Sequence, residues 1–190
     1  MISLRNIGLY GGSFDPIHHG HLILAREALE SLGLDRVIFI PAGVSPHKLC
    51  RPPAPPSLRG EMVAAAVQGE EHFGWDDCEI RRDGPSFAID TVREMMSRFP
   101  DSKIHYFIGE DNLAALHTWK DIDELRRLVQ FVVFSRGVHP AGHGFPVISR
   151  RVDISSTDIR NRIASGLSVQ YLLPEAACHL ISQHHLYRNE

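Results

Sequence analysis

Short runs of apolar, β-prone residues alternate with longer helical patterns along this 190-residue chain. The run Arg36–Ile40 (RVIFI) is apolar throughout its centre, as is typical of a strand that is buried on both faces. A helical pattern precedes it, with apolar residues at three- and four-residue spacing from Leu22 to Leu32 and a stop at Gly33. Because a crossover helix is the usual link between parallel strands, this alternation predicts an α/β fold.

The predicted fold is a Rossmann-like, open, mainly parallel sheet with helices on both faces and a short C-terminal helical region. We expect residues 1–190 to form a single domain, whose helical part spans residues 154–190, because a chain of this length with 43% hydrophobic residues fits one core. The strands are predicted at Ile7–Tyr10, Arg36–Ile40, Trp75–Ile80, Ile104–Ile108, Phe131–Phe134 and Val147–Ser149. After the first helix, helices are predicted at Leu58–Gln68, Phe87–Phe99, Asn112–Leu128, Thr157–Ser165 and Glu175–His184.

Composition excludes several classes of protein. A formal net charge of −3 gives no case for a general nucleic-acid or membrane surface, and small anionic ligands fit better. The three cysteines, Cys50, Cys78 and Cys178, are far apart, which argues against a disulfide framework or a cysteine zinc site. With no apolar run long enough for a membrane span, we expect a protein of the reducing cytoplasm, and the sequence leaves a homo-oligomer open.

The first predicted strand runs into the segment GGSFDPIHHGHL, residues 11–22. This segment matches neither the dinucleotide fingerprint nor the phosphate loop among the standard glycine-rich motifs. Gly11 and Gly12 still allow the backbone to approach an anion closely, Ser13 adds a hydroxyl donor, and the helix that follows presents free N–H groups. The segment is therefore a candidate phosphate-binding turn.

His18 and His21 lie about one helical turn apart in this segment. Beside a triphosphate their cationic forms would be favoured, and each ring would offer two N–H donors to phosphate. One alternative is a metal site, although the glutamate of the H-E-x-x-H motif is absent. A second alternative is that one histidine caps the helix while the other is solvated, but this explains the glycines poorly.

Two further segments carry candidate residues. Ile154–Arg160 (ISSTDIR) offers hydroxyls that cap a helix, and Arg160 lies one turn later, where its guanidinium could grip phosphate. The other interpretation is an ordinary cap followed by a solvated arginine. Val44–Ser57 contains five prolines, so it is predicted to be irregular, either a surface connection or a lid over an active site that carries His47 and Lys48.

GGSFDPIHHGH and ISSTDIR together resemble the paired signatures of the nucleotidyltransferase superfamily related to class I aminoacyl-tRNA synthetases. Over essentially the whole chain the resemblance is to bacterial nicotinate-nucleotide adenylyltransferases, with further matches at PHK, IGEDNL, HTWKD and the C-terminal YLLPEAACHLISQHHLY. It implies transfer of the adenylyl group of ATP to nicotinate mononucleotide, giving nicotinate adenine dinucleotide and pyrophosphate. Mg²⁺ is expected to be bound mainly through the ATP phosphates, and no nucleic acid or membrane partner is implied.

The resemblance also implies a site in two parts. His18, His21 and Arg160 would be the catalytic donors. The ATP phosphates would be bound by Gly11, Gly12, Ser13, Phe14, Lys48, Ser155, Ser156 and Thr157. The mononucleotide would be bound by Ser86, Phe87, Ala88, Gly109, Asp111, Trp119, Lys120 and Arg136. Ser86-Phe87-Ala88 departs from the S-Y-T of the family, and Lys120 replaces a frequent aromatic residue.

Other activities fit the same residues. Within the superfamily the acceptor could be nicotinamide mononucleotide or pantetheine phosphate, although that last family usually has threonine at the position of His18. From different classes, the chain could be a non-catalytic nucleotide-binding regulator or a zinc protein that uses some of its 12 histidines.

Overall fold

A computed structural model of the protein describes residues 4–44, 53–135 and 143–188. Within these ranges six strands form one sheet in the order β3-β2-β1-β4-β5-β6, and each neighbouring pair is parallel. The strands are β1 (Asn6–Gly12), β2 (Arg36–Pro41), β3 (Phe73–Trp75), β4 (Lys103–Gly109), β5 (Gln130–Ser135) and β6 (Val147–Ser149). The predicted Rossmann-like α/β fold is confirmed.

Helices cover both faces of this sheet, as the sequence predicts. They are α1 (His19–Ser31), α2 (Pro56–Val67), α3 (Cys78–Arg81), α4 (Ala88–Arg98), α5 (Ile122–Leu128), α6 (Ser156–Ala164) and α7 (Glu175–Gln183). In the described part of the chain, none of the helices has the length and apolar character needed to cross a membrane.

The core has two halves, one on each face of the sheet, because successive residues of a strand point to opposite sides. Tyr10 and Phe107 belong to the half that is packed under α1, α2, α6 and α7. Their neighbours Leu9 and Tyr106 belong to the half under α4 and α5. Burial on both faces explains why the central strands are continuously apolar in the sequence.

The third strand lies earlier in the chain than predicted. Trp75–Ile80 was expected to be extended, but β3 ends at Trp75 and α3 begins at Cys78. The chain turns because the Asp76 carboxylate accepts a hydrogen bond from the Cys78 backbone N–H at 2.9 Å. A local bond from an aspartate side chain to the backbone competes with strand pairing, so the prediction for residues 76–80 is wrong.

Two other boundaries differ from the sequence prediction. The proline-rich segment was expected to be irregular through Ser57, but α2 already begins at Pro56, where a first-turn proline costs no hydrogen bond. The helical region at 112–128 is broken into two short 3₁₀ turns and α5. Asp121, just before α5, has a φ of 51°, which separates these pieces.

The topology creates a crevice between β1 and β4. From β1 the chain passes to β2 and β3 on one side, and β4 to β6 lie on the other. Ligands in open α/β sheets bind outside the carboxyl ends of the strands at such a reversal of strand order. Gly12 and Gly109, the last residues of β1 and β4, therefore mark the place to look for a site.

Candidate active site

The first turn lies at the carboxyl end of β1, as the sequence predicts. Gly11 has no room for a side chain, because a Cβ there would lie 2.8 Å from the hydroxyl oxygen of Tyr106 on β4. The Gly12 carbonyl is held from the neighbouring strand, since it accepts a hydrogen bond from the Ala42 N–H at 2.8 Å. The backbone of the turn is thus fixed between β2 and β4. Its glycines present no side chain to the crevice.

A cavity of about 240 Å³ opens at this crevice. The first turn forms one wall, and residues after α3 and after β4 form the others. The predicted site residues that line it are Gly11, Gly12, Ser13, Ser86, Phe87, Ala88, Gly109, Asp111, Trp119 and Lys120. The cavity therefore gathers residues from four distant parts of the chain.

The two histidines lie at the start of α1. His18 is the N-cap residue and is 1% exposed, and its ring stacks on that of His21 with 3.7 Å between the centroids. The backbone N–H of His18 donates to Nδ1 of His21 at 3.2 Å, so His21 contributes to the cap of the helix. The ring of His21 also packs edge-on against Phe14 at 5.1 Å. The two imidazoles are therefore held side by side at the start of α1, in fixed orientations.

The second motif begins α6. Ser155 caps the helix, because its hydroxyl accepts a hydrogen bond from the Asp158 N–H at 3.1 Å. The next residue, Ser156, donates its hydroxyl to the Pro16 carbonyl at 2.9 Å. The hydroxyl cap expected in this motif is therefore supplied by Ser155, whereas Ser156 links α6 to the turn before His18.

Arg160 strengthens the same link. Its Nη1 donates to the Asp15 carbonyl at 2.7 Å and lies 3.7 Å from the Asp15 carboxylate, while its Nη2 donates to the Thr157 hydroxyl at 3.2 Å. The two motifs, which are 145 residues apart at Asp15 and Arg160, are therefore in direct contact. This brings the guanidinium to the same turn as the imidazole pair.

The predicted residues form two adjoining groups. His18, His21, Ser155, Ser156, Thr157 and Arg160 are not among the residues that line the cavity, within the ranges that the structure describes. Phe14 lies beneath the turn, 2% exposed, against Tyr10 and His21. Gly11 to Ser13 connect the two groups, since they belong to the first motif and also line the cavity. The predicted Lys48 and Arg136 lie outside the described residues.

The far wall of the cavity carries an aromatic side chain and two charged ones. Trp119 packs edge-on against Tyr106 and Phe131, with centroid distances of 6.1 and 6.4 Å. Lys120 is paired with Asp90 at 3.0 Å and lies 4.7 Å from the centre of the Phe87 ring. Asp111, after β4, accepts a hydrogen bond from its neighbour Asn112 at 3.2 Å. The charge of Lys120 is thus compensated within the protein.

Several cavity residues were missed by the sequence interpretation. They are Ala42, Glu79, Tyr106, Phe107, Ile108, Asn112 and Thr118. Glu79 is 5% exposed and accepts a hydrogen bond from the Thr91 hydroxyl at 2.6 Å. Burial raises the pKa of Glu79, while hydrogen bonds from Thr91 and Ser86 oppose this shift. A glutamate two residues before a pair of arginines carries no signal of burial in the sequence, so only the fold reveals it.

A further missed residue lies behind the first turn. Arg59 on α2 is 1% exposed, and its Nη1 donates to the Ser13 carbonyl at 2.6 Å. Arginine is rarely buried, so the residue type gives no signal of this position.

Comparison with known proteins identifies the family of the chain. The family model described as cytidylyltransferase-like matches residues 9–162. A probable nicotinate-nucleotide adenylyltransferase from Opitutus terrae is 40% identical, with 96% of this chain and 97% of the relative covered. One from Lactiplantibacillus plantarum is also 40% identical, with 96% and 88% covered. The chain belongs to the nicotinate-nucleotide adenylyltransferase family.

A solved structure agrees with the family at the level of the fold. The Plasmodium falciparum nicotinic acid mononucleotide adenylyltransferase complexed with NaAD superposes with a TM-score of 0.80 at 17% identity, and 96% of this chain and 97% of that chain are covered. At this low identity the match supports the fold alone. The nicotinate-nucleotide adenylyltransferase fold therefore extends over nearly the whole chain, including the C-terminal helices that carry the second motif.

Proposed function

We propose that this chain transfers the adenylyl group of ATP to nicotinate mononucleotide, giving nicotinate adenine dinucleotide and pyrophosphate. The observation that carries the proposal is the contact of Arg160 and Ser156 with the Asp15–Pro16 turn. This contact joins the two signatures beside a cavity that a mononucleotide could enter. Family membership gives the acceptor, since the relatives are named for nicotinate nucleotide.

The reaction depends on the positioning of the two substrates more than on proton transfer. An oxygen of the acceptor's 5′-phosphate forms a bond to the α-phosphorus of ATP, and the bond from that phosphorus to the bridging oxygen of the β-phosphate breaks. The electron pair leaves with pyrophosphate. A phosphate monoester has a second pKa near 6, so it is largely ionised at neutral pH and needs no general base. The protein has to align the two phosphates and stabilise the charge that develops.

We assign the contacts that stabilise this developing charge to residues of the two motifs. The backbone N–H groups of Gly12 and Ser13, and the free N–H groups at the start of α1, are suited to binding anions. His18, His21 and Arg160 would donate to the oxygens of the α-phosphate and of the departing pyrophosphate as negative charge develops there. The remaining predicted phosphate contacts are Gly11, Phe14, Ser155, Ser156, Thr157 and, outside the described residues, Lys48.

The second group would bind the mononucleotide. We expect the pyridine ring to pack on Trp119 and the ribose to contact Asp111, with Ser86, Phe87, Ala88 and Gly109 forming the surrounding wall. Because Lys120 is paired with Asp90, we assign it to shaping this wall rather than to neutralising a ligand charge. Arg136, which the resemblance assigns to the mononucleotide, lies outside the described residues. The proposal treats residues 1–190 as one domain, which the contact of Tyr187 with Asp15 supports.

Magnesium would enter this site with ATP. No group of three or more histidine, cysteine, aspartate or glutamate side chains suited to a metal ion occurs in the described part of the chain. Phosphate oxygens and water are the ligands that Mg²⁺ commonly keeps in nucleotide sites. Bound in that way, the ion would neutralise phosphate charge, while the histidines and Arg160 orient the same phosphates.

The proposal is tested by pyrophosphate release from ATP with each candidate acceptor. We expect nicotinate mononucleotide to give the highest kcat/KM, by about tenfold or more over nicotinamide mononucleotide, because a site built for one polar group discriminates against its replacement. Pantetheine phosphate is expected to give no turnover. A higher kcat/KM with the amide would reassign the acceptor. ATP binding without pyrophosphate release from any acceptor would favour the nucleotide-binding regulator.

Replacement of Trp119 by alanine should raise KM for nicotinate mononucleotide by about 10-fold or more, since base–aromatic stacking contributes about 1–3 kcal/mol. We expect KM for ATP to change little and Trp119→Phe to retain most of the affinity. Steady-state kinetics with both substrates varied would measure this. Trp75→Ala is the matched control, because that indole is 40% exposed at the end of β3, away from the cavity. Equal effects of the two alanine variants would rule out the assigned stacking.

A further inference from the structure

We propose that Arg59 is a positioning residue that holds the ATP-binding turn in its reactive geometry. This inference deepens the proposed function and rests on it. Arg59 lies in α2, which contributes no residue to either group of predicted site residues. Its guanidinium is buried, and three of its nitrogens bind three carbonyl groups from separate parts of the chain.

The three contacts join the first turn to residues near both ends of the segment that connects β2 to α2. Nη1 donates to the Ser13 carbonyl at 2.6 Å, Nη2 to the Gly43 carbonyl at 3.0 Å, and Nε to the Ala54 carbonyl at 2.9 Å. Ser13 follows β1, Gly43 follows β2, and Ala54 precedes α2. Because the guanidinium is rigid and planar, one side chain fixes the relative positions of three backbone segments.

The contact with Ser13 also sets the direction of a backbone donor. In a trans peptide unit the C=O and the following N–H point in opposite directions. Because the Ser13 carbonyl points at Arg59, the N–H of Phe14 points away from α2. Phe14 has a φ of 45°, a conformation that a bulky residue adopts only when its surroundings impose it. Arg59 is one of the groups that impose this conformation on the turn.

Arg59 also places charge behind the turn. Asp15, which is 9% exposed, accepts hydrogen bonds from the Ala54 N–H at 3.0 Å and from the Tyr187 hydroxyl at 2.8 Å. Burial lowers the pKa of Arg59, and the charge of Asp15 opposes this shift. An arginine side chain carries its positive charge in proteins. The same carboxylate lies 3.7 Å from Arg160. One carboxylate thus faces two guanidinium groups, which leaves net positive charge beside a turn assigned to phosphate.

The test compares kcat per folded molecule for three variants on α2. Arg59→Lys keeps the charge but cannot reach three carbonyls, and Arg59→Met removes the charge as well. Met62→Ala is the matched control, because Met62 is fully buried on the same helix and belongs to the core. Folded fractions would be measured by circular dichroism, and kinetics would be run well below the lowest unfolding temperature.

We expect Arg59→Lys to lower kcat by about tenfold or more and Arg59→Met to lower it further, because small misplacements of reacting groups cost up to about 100-fold. KM for nicotinate mononucleotide should change less than threefold, and Met62→Ala should lose stability while its kcat stays within about twofold of the parent. A merely structural role would change stability in all three variants and leave each kcat intact, which would overturn the inference.

Two other outcomes are also decisive. If Arg59→Lys cannot be obtained folded at low temperature, the residue is a requirement of the fold and the inference is overturned. If the unaltered protein releases no pyrophosphate with any acceptor, the proposed function fails before the variants are compared. The failure of the inference and that of the function are therefore distinguishable.

Discussion

Replacement of His21 by alanine is expected to lower kcat by about 10²–10³-fold while ATP still binds, since loss of one donor to developing charge has this typical cost. The ring of His21 is stacked on His18 at 3.7 Å and packed on Phe14, so it is already oriented before ATP arrives. Contacts that strengthen in the transition state affect kcat more than binding. Single-turnover kinetics and calorimetric titration with ATP would measure the two effects separately.

The cap contact of His21 calls for a second variant, because Nδ1 accepts the His18 N–H at the start of α1. His21→Gln keeps an acceptor at the position where glutamine is common in helix caps, but it removes the imidazole. We expect His21→Gln to recover stability without recovering kcat. His19→Ala tests the neighbouring histidine and should retain kcat within about twofold, because His19 is assigned no contact to phosphate. Recovery of kcat by glutamine would reduce His21 to a capping residue.

Replacement of Arg160 by alanine is the second large effect. We expect kcat to fall by about 100-fold or more, because the arginine is assigned to the departing pyrophosphate and its bidentate geometry is specific. Arg160→Lys should recover only a small part, since a lysine cannot reproduce the planar fork that reaches the Asp15 carbonyl and the Thr157 hydroxyl. Rapid-quench measurement of nicotinate adenine dinucleotide formation would follow the chemical step.

A matched control lies one half-turn further along α6. Arg162 is partly exposed and donates to the Ser168 carbonyl at 3.0 Å, within its own C-terminal segment. Arg162→Ala should leave kcat within about twofold of the parent. If Arg160→Ala weakens ATP binding by the same factor as it lowers kcat/KM and leaves kcat unchanged, the contact is equally strong in the ground state and the assigned role is incorrect.

The sequence predicts the order and type of the main elements because hydrophobic periodicity is a local signal. Strand β6 was predicted with its observed bounds, Val147–Ser149, and the other strands except β3 overlap their predicted ranges closely. The error at Trp75–Ile80 arises from one side-chain bond, from Asp76 to the Cys78 backbone. Such a bond competes with strand pairing without changing the apolar pattern that the prediction uses.

The candidate site could be predicted as a set of residues but not as an arrangement. The spacing of His18 and His21 and the resemblance of the second motif pointed to phosphate chemistry from sequence alone. The predicted phosphate role of Ser156 and Arg160 stays a prediction, and both also bind carbonyls of the first turn. A local sequence pattern gives no signal for a hydrogen bond between residues that are 140 positions apart.

The amino-acid sequence by itself determined the α/β alternation, the glycine turn at the end of β1 and the identity of the two motifs. Each of these features depends only on residues that are close together in the sequence. The tertiary structure alone decided that α6 docks on the Asp15–Pro16 turn, that Glu79 is buried in the cavity wall, and that Arg59 lies behind the turn. These features depend on which strands become neighbours, since β1 must lie between β2 and β4 before residues so far apart can meet.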